Sequence, residues 1–175
     1  MKKHDSLFNN YRPECRHWRE PVRVGRQIVL CSSYFAMRDI TEGAPGFAVY
    51  LAEAWRDKMG FFSTNGSYIK KIAQRRVYPC LFADWKDFST IPFLVLDELV
   101  EICLCKMRQG KVIEIACNAG HGRTGALLAC LIIRKEHLSG ERAISEVRRR
   151  YCRHAIESKA QEEMVKNYSL MRAIW

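Results

Sequence analysis

KVIEIACNAGHGRTG, running from Lys111 to Gly125, is the stretch from which the rest of the chain can be read. It opens with an apolar run, Val112 to Ala116, interrupted only by Glu114, which predicts a buried parallel strand. Next come Cys117, Asn118, Ala119, Gly120, His121, Gly122 and Arg123, and then an apolar segment, Ala126 to Ile133, that predicts a helix. A strand, a glycine-bearing loop and a helix in that order present backbone N–H groups to an anion. Successive amides form a concave nest, and the helix N-terminus adds its dipole. A phosphate held there would meet the loop amides of residues 118–122 and a two-pronged guanidinium from Arg123.

The same surroundings favour a thiolate. A free cysteine titrates near ~8.5, and helix N-termini with neighbouring cations lower that value. Cys117 is therefore the candidate nucleophile, set against the simpler reading of a buried cysteine at a glycine-rich turn. The spacing C-x5-R followed by Thr124 resembles the signature of the cysteine-dependent protein tyrosine and dual-specificity phosphatases. The resemblance extends over roughly Ile28 to Gln161, with its sharp motif at Cys117–Gly125. It implies a single α/β domain with a mostly parallel sheet flanked by helices, and phosphomonoester hydrolysis through a phosphocysteine. Phosphotyrosine of proteins is the expected substrate, with phosphoserine and phosphothreonine beside it. An RNA 5′-phosphatase, a phosphoinositide phosphatase and a catalytically silent phosphate-binding module are the alternatives.

Hydrolysis by a thiolate leaves an oxyanion that needs a proton, and a loop carboxylic acid is the usual source. Trp85-Lys86-Asp87 resembles the family's mobile tryptophan-proline-aspartate loop, with Lys86 in the proline position. This implies Asp87 as general acid, with Asp84 as the second candidate. Thr124 is placed to donate to the departing sulfur, or else simply caps the helix. Ile156 to Gln161 resembles the segment whose glutamines position water in tyrosine-specific members. Glu157 replaces the first glutamine, and Gln161 stands at the second, where a surface helix glutamine is the competing reading. Family members usually carry histidine before the nucleophile, but here it is Ala116, and Glu114 adds a nearby negative charge. Both departures imply a higher thiol pKa than the family's.

Composition narrows the setting. The chain has 175 residues, enough for one good core, and a formal charge of +10 that favours acidic partners such as phosphorylated protein, RNA or phosphoinositide. Eight cysteines without paired spacing fit a reducing, cytoplasmic compartment. No apolar h-region opens the chain and no apolar run is long enough to span a membrane. No C-x-x-C or spaced histidine pair appears, so no metal or other cofactor is expected. The basic clusters Lys70-Lys71 with Arg75-Arg76, and Arg148 to Arg150 with Arg153, read as solvated faces more than as a pocket rim.

The expected organisation is a basic N-terminal extension over residues 1–27, packed on a catalytic domain over residues 28–175. The first strand is expected at Ile28–Cys31 and the second at Phe47–Leu51, where Ala48–Trp55 can also be drawn as helix. A short basic helix is expected at Ser67–Gln74 and a third strand at Arg76–Phe82. Helices follow at Pro92–Arg108, after the central loop, at Ser139–Arg150 and at about Ser158–Met171.

Overall fold

A computed structural model describes residues 15, 17–33, 46–52, 79–174 and the backbone of 69–73. Among the described residues one six-stranded sheet carries the fold. Its strands in chain order are β1 (Glu20–Val24), β2 (Gln27–Ser33), β3 (Phe47–Ala52), β4 (Ile69–Ala73), β5 (Cys80–Asp84) and β6 (Ile113–Cys117). In space they run β1-β2-β6-β3-β5-β4. The four inner strands are parallel, and the two edge strands, β1 and β4, pair antiparallel with their neighbours. The central strand is β6, all five of whose residues are buried. Cys117 closes it, in register with Ser33 of β2 and Leu51 of β3. The nucleophile candidate thus stands at the carboxyl end of the most interior strand, where open α/β sheets hold ligands.

Among the described residues there are four helices: α1 (Phe93–Arg108), α2 (Gly122–Glu136), α3 (Gly140–Arg150) and α4 (Lys159–Ile174). Helix α1 buries Leu96, Leu99, Val100, Cys103, Leu104 and Met107, an i, i+3, i+4, i+7 stripe facing the core. Helix α2 differs in kind. Every residue from Gly122 to Ile133 is buried, because α2 lies among β6, α1, α3 and α4. A helix enclosed on all sides must be apolar on all sides. Arg123 and Thr124 are the exceptions in its first turn. Ser139 caps α3, its side-chain oxygen accepting from the Arg142 N–H at 3.4 Å.

Three expectations are corrected. The sheet begins at Glu20, ahead of the strand expected at Ile28. β1 forms a tight hairpin with β2 around Gly25 (φ +58°), and Val22 and Val24 enter the core. Residues 20–24 therefore belong to the sheet and not to an overlying extension. The basic helix expected at Ser67–Gln74 is instead strand β4 over Ile69–Ala73; Ile69 and Ile72 suit an edge pairing with β5, with a register shift between Lys70 and Ala73. The strand expected at Arg76–Phe82 lies at Cys80–Asp84, and residues 74–78 fall outside those described. The alternative helix at Ala48–Trp55 gives way to β3, whose parallel pairing with β5 and β6 fixes it in the sheet. Among the described residues no helix is long and apolar enough to cross a membrane.

Candidate active site

The anion loop runs from Cys117 at the end of β6 to Gly122 at the start of α2. Its backbone is pinned from outside. Gly120 has φ +81°, and a β-carbon there would lie 3.0 Å from both the His17 Cβ and the Ser32 carbonyl oxygen. Only glycine suits that combination of left-handed backbone and close approach. The Tyr151 hydroxyl donates to the Gly120 carbonyl. The Gly122 N–H donates to Glu157 Oε2 at 3.0 Å, and the Gly125 N–H returns to the His121 carbonyl at 2.8 Å, closing the first helical turn. Glu157 is thus a clamp on the loop's exit.

Arg123 is 1 % exposed, so its orientation is set by the protein. Its Nη1 donates to the Trp85 carbonyl at 2.8 Å. Nη2 lies 3.0 Å from Asp87 Oδ1, an ion pair without hydrogen-bond alignment. Nε is buried and makes no hydrogen bond. The Nε–Nη2 edge of a guanidinium can grip two oxygens of one anion at once; here its Nη2 faces Asp87 and its Nε has no hydrogen-bond partner. Thr124 Oγ1 is likewise buried without a partner. Of the two loop acids, the structure brings Asp87 to the guanidinium, while Asp84 ends β5 as a sheet residue.

The acid loop is held on both sides. Trp85 is fully buried, and its indole N–H donates to the Ser89 carbonyl at 2.9 Å. Ser158 Oγ donates to the Phe88 carbonyl at 3.0 Å. Phe88 takes φ +55° in this turn. Gln161 is fully buried, which rules out the surface reading. Its Oε1 accepts from the N–H groups of Glu157 at 3.0 Å and Ser158 at 3.4 Å, and its Nε2 donates to the Ser89 carbonyl at 3.4 Å. The side chain joins the acid loop to the segment that clamps Gly122.

Glu114 is fully buried beside this site, with Ser32 Oγ donating to it at 2.5 Å and Arg19 Nε 3.3 Å away. Burial pushes its carboxyl above the usual range, and the Ser32 bond and Arg19 charge oppose that shift. Its charge therefore has its own partners on β2 and the segment before β1. Two members of the arginine cluster of α3, Arg148 and Arg150, make internal contacts, while Arg149 lies on the solvated face. Arg148 donates to the Ala155 carbonyl at 3.2 Å and the Ile156 carbonyl at 3.1 Å, and pairs with Glu162. Arg150 bridges Glu136 and Glu146 and donates to the Arg23 carbonyl at 3.1 Å. Sequence reasoning missed His17 and Tyr151, which buttress the loop from outside. They follow no spacing pattern, because their role is set by where the chain crosses the back of the loop.

Comparison with known proteins agrees with this geometry. Residues 74–137 match the family model described as polymorphic toxin system, DSP-PTPase phosphatase. The chain is 34% identical over 64 residues to protein tyrosine phosphatase domain-containing protein 1 of Danio rerio, covering 37% of this chain and 9% of that protein. An uncharacterized protein of Methanocaldococcus jannaschii is 33% identical over 95 residues, covering 54% of this chain and 57% of that one. The chain thus spans somewhat over half the length of the archaeal relative and under a tenth of the fish protein. Among solved structures, Tk-PTP in the active form superposes with a TM-score of 0.66 at 23% identity, covering 87% of this chain and 98% of that one. Human DUSP28 gives 0.63 at 14%, covering 88% and 95%.

The architecture is therefore that of the dual-specificity phosphatases. Its C-x5-R loop lies within the stretch, residues 74–137, that is similar to the DSP-PTPase phosphatase model.

Proposed function

We propose that this protein hydrolyses phosphomonoesters through a phosphocysteine, with phosphotyrosine of proteins as the favoured substrate and phosphoserine and phosphothreonine as slower ones. The observation that carries the reading is the arrangement around Arg123: Nη1 is fixed to the acid loop at Trp85, Nη2 lies beside Asp87, and Nε is buried without a partner. In this reading the Cys117 thiolate attacks phosphorus while the Arg123 edge and the amides of residues 118–122 hold the equatorial oxygens. Asp87 gives its proton to the leaving oxygen as the P–O bond breaks. Thr124 Oγ1 then donates to the sulfur, and Asp87, now a carboxylate, takes a proton from the water that attacks the phosphocysteine. Phosphate leaves and the thiolate returns. Gln161 acts as a positioning residue, because its amide is already engaged with the acid loop and the Glu157 segment.

A phosphoinositide phosphatase is the second reading, favoured by the charge of +10 and by likeness to PTPMT1 in complex with PI(5)P, TM-score 0.66 at 14% identity over 89% of this chain and 97% of that one. Against it, Arg148 and Arg150 are spent on internal carboxylates and carbonyls. The deciding experiment is turnover of phosphotyrosine peptide, phosphothreonine peptide, phosphoinositide and 5′-triphosphorylated RNA side by side, each against Cys117→Ser. Phosphotyrosine should lead. A higher kcat/KM on phosphoinositide or RNA overturns the substrate assignment, and no Cys117-dependent turnover of any of the four leaves a binding module.

A further inference from the structure

We infer that Cys15, His17, His121 and Cys152 form a tetrahedral zinc site behind the anion loop. The four come from the segment ahead of β1, the anion loop and the segment just past α3, and one ligand atom from each lies within 4.8 Å of the others. Cys15 Sγ and Cys152 Sγ are 3.8 Å apart. Two thiolates on one tetrahedral Zn²⁺, with Zn–S bonds of about 2.3 Å, stand about 3.8 Å apart. The histidine rings meet edge to face with centroids 4.5 Å apart. His17 is 6 % exposed, and its Nε2 is buried with no hydrogen-bond partner, an orphan that a bound cation satisfies.

The surroundings fit a metal as well as the ligands do. The His154 N–H donates to Cys152 Sγ at 3.4 Å, as amides do to metal-bound thiolates. Glu157 Oε1 lies 3.8 Å from His121 Nδ1. A carboxylate on that nitrogen assigns Nε2 to the metal, the carboxylate–histidine–zinc arrangement. Two sulfur and two nitrogen donors select zinc among common divalent ions, and two thiolates cancel its charge. With four protein ligands no coordination position is open, so the ion is structural. It fastens Cys15, His17 and the segment just past α3 to His121, and so fixes the loop beside the candidate nucleophile. The sequence reading expected no metal because only Cys15 and His17 are near neighbours in the chain.

Metal content of the full chain, purified from cells grown with zinc, tests the site without reference to catalysis. About one equivalent of zinc is expected. Replacing it with cobalt should give the intense visible bands of a tetrahedral site and a sulfur-to-cobalt charge-transfer band. Cys152→Ser and His17→Ala should each lose most of the bound metal, whereas Cys117→Ser should keep it. Zinc-free protein that takes up no cobalt overturns the proposal, whatever the variants do. So does a Cys15–Cys152 disulfide in the purified chain, or metal that follows Cys117. Stoichiometry and cobalt spectrum are read on the unaltered chain, so a variant that fails to fold does not blunt the test.

Discussion

Arg123 of the anion loop donates to the carbonyl of Trp85, 38 residues upstream, at 2.8 Å. That bond makes Arg123 and the Asp87 loop one unit: the guanidinium is aimed by the loop that carries the proposed proton donor. Aim matters because both neighbours of the bond, the Arg123 side chain and the Trp85 ring, are fully buried and have no alternative partner in water.

The nucleophile and its clamp give the first prediction. Cys117→Ser should leave no measurable turnover of an aryl phosphate while keeping the fold, since a serine hydroxyl stays protonated here. Arg123→Lys should lose on the order of a hundredfold or more in kcat, because an ammonium cannot span two oxygens or hold Trp85 in the same geometry. Steady-state kinetics beside a thermal melt checks both. Near-parent turnover by Cys117→Ser would sink the mechanism.

The two carboxylates of the acid loop should separate cleanly. Asp87→Ala should cost on the order of 10²–10⁴ in kcat for poor leaving groups and flatten the basic limb of the pH–rate profile. Asp84→Ala, at the end of β5, should do far less. Reversed phenotypes would place the acid on Asp84.

At Gly125 α2 passes close to the Ala155–Ile156 segment. A β-carbon there would lie 2.8 Å from the Ala155 Cβ and 3.0 Å from the Ile156 backbone nitrogen, so α2 or the Ala155–Ile156 segment must move. Ile156 already takes φ +62°, and Arg148 holds its carbonyl, leaving little room to yield. Gly125→Ala should destabilise by about 1–3 kcal/mol, the cost of overpacking. It should also lower kcat, because Glu157 follows directly. Denaturant melts and kinetics on one preparation read both effects; an unchanged midpoint contradicts the packing argument.

Acid stability follows from Arg150. Its bonds hold Glu136 below the usual carboxylate range, and Arg149 and Arg150 together bring Glu146 down to about 2. A carboxylate depressed on folding contributes stability that is full above its unfolded pKa, about 4.3, and lost as pH falls toward its folded pKa. The protein should therefore lose melting temperature between roughly pH 4.5 and pH 2. In Arg150→Met that loss should be smaller, and stability at pH 7 should drop by about 1 kcal/mol, a modest figure because these groups are partly solvated. Parallel pH slopes in the two proteins would refute the linkage.

The sequence by itself determined the features that rest on local order. A buried strand, a loop carrying Cys117 and Arg123, and an apolar helix must follow one another within 26 residues, and the periodicities of 2 and 3.6 mark them wherever they are packed. The apolar stripe of α1 and the Ser139 cap were legible for the same reason. Only the tertiary structure decided what depends on which distant segments meet. Residues 69–73 form an edge strand because β5 supplies a pairing partner, and 20–24 join the sheet because β2 turns back on them. Gln161 is buried because the acid loop, 72 residues away, lies over it. The meeting of Cys15, His17, His121 and Cys152 is of the same kind: strand order and helix packing, not spacing along the chain, bring them within 4.8 Å.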